Sequence, residues 1–277
     1  SNHEYGALVR AWTMYGKKTN VKIIQQEIPL PLTTEEKFIA DFWKGVTLQT
    51  KVIFLSQITS PTALIFPIEK IKKMAKKRHI LTIIDGAHVP AHMPLNIHEL
   101  GCDFFTGACH KWLCGPKGSS FLFVKKEHQG WIKPLVVSWG KNGDDPTSSE
   151  FLQDFNWQGT RDMSAFLTMP TAIDFYQKEI RSNQGTCRKI IQDAHSEFQA
   201  VLNTEPISTG GTWLGQMAAQ LLPDQTPPDL KEKLWNDYQI EIPLFEWNNQ
   251  RYIRISIQVY NTQKDVDLLM SALRSLI

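Results

Sequence analysis

The residue with the most chemical promise is Lys111, in the stretch Cys109-His110-Lys111-Trp112-Leu113-Cys114. It follows a strand-like run, Cys102-Asp103-Phe104-Phe105, and precedes the turn Gly115-Pro116-Lys117-Gly118 and a second apolar run from Ser120 to Val124. Such a place pins a lysine and strips water from its head, and desolvation lowers an ammonium pKa toward the neutral amine. A neutral amine attacks aldehydes, forming a Schiff base with a carbonyl substrate or with pyridoxal phosphate. The alternative is a lysine that lays its stem over apolar neighbours and keeps its charge in water.

A second group lies upstream. The run Ile80-Leu81-Thr82-Ile83-Ile84 reads as a buried strand that ends in Asp85-Gly86-Ala87-His88. A carboxylate at the carboxyl end of such a strand stands at the edge of an α/β sheet, where ligands bind. Asp85 could hold a pyridinium nitrogen protonated, or it could simply cap the next turn.

Together these segments resemble the class V aminotransferase family of pyridoxal-phosphate enzymes, in its isopenicillin-N-epimerase-like branch. The resemblance rests on Ile84 to His88, Leu100 to Gly107, Cys109 to Leu113, Pro116 to Gly118, Trp157-Gln158-Gly159-Thr160-Arg161-Asp162, Arg254-Ile255-Ser256 and Tyr260-Asn261. It implies pyridoxal 5'-phosphate as cofactor, Lys111 as the residue that binds it covalently, and Asp85 on the ring nitrogen. It also implies that His88 packs by the ring, Tyr5 covers one ring face, Ser60 takes the place of a contact to the phenolic oxygen, and Thr106 anchors the phosphate. Ala108 departs from the family pattern, because relatives often carry a polar anchor there. His110 is expected against the cofactor's surroundings. Thr160 is expected to reach across a homodimer interface to the partner's cofactor, and Arg254 to hold the substrate α-carboxylate with two hydrogen bonds. Each has a plainer reading as well: a surface tyrosine or histidine, a loop serine, a helix cap at Thr160, a solvated sheet-edge arginine.

The elements that must position these groups alternate strand and helix. Strands are expected at Val21–Gln25, Lys51–Ser56 and 80–84, with helices from a Thr33-Thr34-Glu35-Glu36 capping box to Trp43 and from Pro67 to Lys77. This order gives a mostly parallel sheet flanked by helices. The family's phosphate-cradling segment would precede residue 1, so the large cofactor domain, residues 1–184, is expected to be N-terminally incomplete. Residues 141–149 read as a mobile loop, and Gln158 to Asp162 as the start of a helix through Phe175. A helix from Thr186 to Leu202 leads into a smaller α+β C-terminal domain, 185–277, with strands near Thr212–Met217 and Tyr252–Gln258, a helix near Asp229–Tyr238 and a final helix opened by Thr262-Gln263-Lys264-Asp265.

Composition excludes several classes. Thirty basic and 28 acidic residues give +2 over 277 residues, which offers no case for nucleic acid or a membrane surface. The four cysteines have neither a disulfide nor a zinc spacing, and no apolar run spans a membrane, so the expected protein is cytoplasmic and metal-free. The leading expectation is epimerase- or racemase-like chemistry at an amino-acid α-carbon. A transaminase, a lyase, a non-catalytic family member and a cofactor-free Schiff-base enzyme are the alternatives. Cysteine desulfuration is disfavoured, because the loop before Tyr252 carries no thiol and the last cysteine is Cys187.

Overall fold

In the computed structural model, residues 1–141, 143 and 149–277 are described. Two helices, α1 (Gly6–Thr19) and α2 (Glu35–Trp43), precede the first strand, β1 (Val52–Ser56). Then come α3 (Ile68–Lys77), β2 (Leu81–Asp85), the single turn α4 (Ile97–Leu100), β3 (Phe104–Ala108) and β4 (Ser120–Val124). Strands β1, β2 and β3 are parallel neighbours in that order, and β4 closes the edge antiparallel.

Register decides where chemistry can occur. Ser56 lies opposite Asp85 and Asp85 opposite Thr106, so the polar residues that end β1 and β2 and the threonine in the middle of β3 form one row. Beneath that row the sheet is apolar, with Leu55, Ile84 and Phe105 all buried. Gly86 is required immediately after Asp85: a Cβ there would meet the Phe105 ring at 2.0 Å. The chain therefore turns away from the sheet directly over an aromatic ring, and the carboxylate is left at the edge.

Beyond β4, short helices α5 (Glu150–Asn156), α6 (Ser164–Leu167) and α7 (Met169–Phe175) lead into the long α8 (Gln184–Leu202). A second sheet follows, from β5 (Met217–Leu221), α9 (Leu230–Tyr238), β6 (Leu244–Trp247) and β7 (Gln250–Ser256), before the final α10 (Gln263–Leu276). It is antiparallel, with β7 in the centre. Helix α8 packs on β5 and α10 packs on α8. In α10, Thr262 and Asp265 form the expected reciprocal capping box, whereas α2 is capped singly, Thr34 accepting from the Lys37 amide.

Three expectations need correction. Val21–Gln25 is not a strand; Val21 donates to the Gly16 carbonyl behind α1, and no neighbouring strand supplies a ladder for its β-branched residues. Near 212 the chain makes a short 3-10 turn, Gly211–Trp213, after Gly210 at φ +91°, and the strand begins only at Met217. No helix opens at Gln158–Asp162: α6 starts at Ser164, whose amide donates to Asp162, and Gly159 holds φ +102°. The proposed loop at 141–149 lies largely outside the described residues. Among the described residues no helix is long and apolar enough to cross a membrane.

Candidate active site

A cavity of about 380 Å³ opens over the carboxyl edge of the parallel strands. Seven of the nine residues singled out from the sequence line it: Tyr5, Ser60, Asp85, His88, Thr106, His110 and Lys111. Tyr5 stands at the start of α1 and is 52% exposed, with its ring at the rim. Arg254 reaches the same place from the second sheet, where its guanidinium Nη1 donates to the Ser60 carbonyl. Its strand is the central one, between buried Ile253 and Ile255, so the reading as a solvated sheet-edge arginine falls away. Thr160 does not line the cavity; it is exposed in the segment before α6.

Electrostatics set the state of each group. Burial holds the Lys111 ammonium below its ordinary pKa, Asp85 opposes that shift, and Arg254 adds to it. Burial raises the Asp85 carboxyl; the Ala87 amide, which donates to Oδ1 at 2.9 Å, opposes the rise, Glu4 adds to it, and Lys111 opposes it. His88 is driven down to about 2, first by burial and then by the charges of Lys111 and Arg254, so its ring is neutral. Lys111 Nζ lies 3.1 Å from His88 Nε2, and the indole Nε1–H of Trp112 donates to His88 Nδ1 at 3.3 Å. Burial likewise lowers the Arg254 guanidinium, whose Nε has no hydrogen-bond partner among the described residues.

Sequence reasoning missed three parts of this site. Glu4 is buried and accepts from both the amide and the hydroxyl of Ser56, at 2.8 and 2.6 Å, which places a second carboxylate near Asp85. Ser120 pairs in register with Ala108 and lines the cavity, so a hydroxyl stands beside the anchor that Ala108 fails to provide. Behind Trp112 runs a buried polar chain. The Gln216 amide donates to His92 Nε2 at 2.6 Å, His92 Nδ1 faces the His88 carbonyl at 3.0 Å, and Gln258 Nε2 donates to the Trp112 carbonyl at 3.1 Å. The four-residue spacing of His88 and His92 was the only local signal for it; the glutamines come from a distant part of the chain.

The donor set fits pyridoxal 5'-phosphate. An amine of lowered pKa, a carboxylate with one oxygen free of partners among the described residues, an aromatic ring at the rim and hydroxyls of Thr106 and Ser120 face a single cavity. Comparisons with known proteins agree. The chain is 28% identical over 291 residues to isopenicillin N epimerase of Amycolatopsis lactamdurans, covering all of this chain and 73% of that protein. It is 24% identical over 309 residues to a probable chloroplastic L-cysteine desulfhydrase of Arabidopsis thaliana, covering 62% of its length. Among solved structures, an apo cysteine desulfurase from Thermococcus onnurineus NA1 superposes with a TM-score of 0.84 at 17% identity, covering 100% of this chain and 71% of the other. A complex of a cystine C-S lyase with cysteine persulfide gives a TM-score of 0.83 at 16% identity, over 100% and 74%. The aminotransferase class V family model matches residues 1–219, and with this lysine, carboxylate and fold the chain belongs to that family of pyridoxal-phosphate enzymes.

Proposed function

We propose that the protein acts at the α-carbon of an amino acid, moving its α-proton in the manner of an epimerase. The observation that carries this reading is that Lys111 and Asp85 line one cavity, while Arg254, from a third part of the chain, bonds the carbonyl of Ser60 in its wall. Pyridoxal phosphate, when bound, supplies an aldehyde and a ring that accepts electron density from the α-carbon. Asp85, one oxygen of which accepts from the Ala87 amide, would hold the proton of the ring nitrogen. Lys111 Nζ, its pKa lowered by burial and its nitrogen 3.1 Å from His88 Nε2, takes up the α-proton from its own face; inversion then requires a proton delivered on the opposite face. Arg254 orients the substrate by its carboxylate, and Tyr5, Thr106, Ser60 and His110, in the walls of the cavity, would hold the cofactor. We place the cofactor domain at 1–184 and the smaller domain at 185–277.

The same reading takes the enzyme as a cytoplasmic homodimer in which Thr160 contributes to the partner's site. The segment around it supports this: Leu135, Val137, Trp139 and Leu167 are 105, 70, 86 and 78% exposed, an apolar surface that a partner subunit would cover.

β-Elimination is the second reading, favoured by the relatives named as L-cysteine desulfhydrases. It starts with the same proton removal. No cysteine lines the cavity, and Cys102 and Cys187 are buried, so desulfuration by a protein thiol has no support here. The test combines two measurements. A visible absorbance band on adding pyridoxal phosphate should form with the wild type and not with Lys111→Ala. α-Deuterium incorporation from heavy water, screened over L-amino acids and short peptides bearing one, should then occur with loss of enantiomeric purity. Release of ammonia and a keto acid would transfer the assignment to elimination. No α-exchange in a protein that forms the band would overturn chemistry at the α-carbon.

A further inference from the structure

We infer that Trp112 is a positioning residue that fixes the tautomer of His88 and thereby keeps Lys111 in its neutral, nucleophilic form. The proposal rests on Lys111 being the cofactor lysine. An indole N–H can only donate. Trp112 Nε1 points at His88 Nδ1 at 3.3 Å, so that nitrogen must offer its lone pair and the neutral ring must carry its proton on Nε2. Nε2 is the atom that faces Lys111 Nζ, at 3.1 Å. An Nε2–H needs an acceptor, and an ammonium has none to give, whereas a neutral amine has one lone pair. Protonating Lys111 would force the His88 proton onto Nδ1, where it would meet the indole N–H head on. One hydrogen bond is then lost whichever way the ring adapts.

The indole is held firmly enough to impose this choice. Trp112 is buried, its ring lies against that of His92 with centroids 4.1 Å apart, and its carbonyl accepts from Gln258. His92 is itself fixed: Nε2 accepts from the Gln216 amide, which leaves Nδ1–H to donate to the His88 carbonyl. The residues that define the orientation of the indole therefore also hold the backbone of His88. Other charges act on Lys111 from the surrounding elements: Asp85 from β2 raises its pKa and Arg254 from β7 lowers it, while Glu4, before α1, acts on Asp85. The tautomer lock works alongside these charges and is the part that depends on hydrogen-bond direction.

The test uses the full chain without cofactor. Long-range proton–nitrogen correlation of the histidine rings, with the His88 signal identified by its absence in His88→Gln, should show the Nε2–H tautomer. With lysine labelled at the ε-carbon and Lys111 identified through Lys111→Ala, Trp112→Phe should raise the Lys111 pKa by roughly one pH unit, the worth of about one hydrogen bond. In a His88→Gln background the same Trp112→Phe change should leave that pKa where it is, because a glutamine can turn its amide to suit either state of the amine. A purely packing role for the indole would move the pKa equally in both backgrounds and would overturn the proposal. So would an Nδ1–H tautomer in the wild type, or an unchanged pKa in Trp112→Phe. If Trp112→Phe fails to fold, the wild-type tautomer decides alone. The visible band with pyridoxal phosphate tests the role of Lys111 separately, so loss of one reading is not confused with loss of the other.

Discussion

Replacing Arg254 by lysine keeps a positive charge on β7 and removes the planar fork. In the structure the guanidinium uses Nη1 on the Ser60 carbonyl, while Nε has no partner, and burial already lowers its pKa. A desolvated cation of this kind gains most from a ligand carboxylate. Arg254→Lys should lose about one charge-assisted hydrogen bond to that carboxylate, roughly 1.5–3 kcal/mol. That corresponds to about a 10- to 150-fold fall in kcat/KM. Because the carboxylate is bound alike before and during proton transfer, the loss should appear mainly in KM. The assay is the rate of α-deuterium exchange, followed against concentration for the amino-acid substrate and for its carboxamide. For the carboxamide, wild type and Arg254→Lys should perform equally, since neither has a carboxylate to hold. Thermal unfolding of both proteins provides the control for general damage. An equal drop for acid and amide, or an unchanged KM for the acid, would refute the assignment of Arg254 as the carboxylate anchor.

Three further outcomes follow from the geometry. His3, His88 and His92 are buried with pKa values near 4, 2 and 3, against 6.5 in an unfolded chain, so the unfolded state binds more protons below pH 6.5. Stability is then full above about pH 6.5 and falls as pH drops toward 4; urea midpoints that do not decrease between pH 7 and 5 would contradict this. Gly86→Ala puts a Cβ into the Phe105 ring and should destabilise by about 1–3 kcal/mol, with the urea midpoint as the readout; an unshifted midpoint would show that the ring moves freely. Thr262→Ala removes half of the capping box on α10 and should cost about 1 kcal/mol, seen as a Tm about 2–4 °C lower by differential scanning calorimetry.

Much of the site was legible because its residues sit in short segments whose local pattern is strong. Asp85 ends an unbroken apolar strand, and Lys111 is bracketed by a strand and a Gly-Pro turn, so type and place agree. Arg254 alternates with isoleucines, and that period of two was enough to turn it away from the core. What local pattern could not carry is pairing. Ser120 opposes Ala108 only through the register of two antiparallel strands, and Glu4 finds Ser56 across 52 residues of sequence. Val21–Gln25 had the composition of a strand without a neighbour to bond to, and Gly210 bends the chain where an extended run was expected. Thr160 shows a different limit: its expected role concerns a second subunit, and a single chain leaves it exposed.

The bonds that complete the site join residues far apart in the chain: Arg254 with Ser60 across 194 positions, Gln258 with Trp112 across 146, and Gln216 with His92 across 124. Contacts of such long reach form late in folding, since the loop between them must close before they repay anything. During synthesis, Lys111 leaves the ribosome well before the strand that bears Arg254 exists. The charge of Arg254, which adds to the lowering of the Lys111 pKa, therefore joins the site only in the finished molecule.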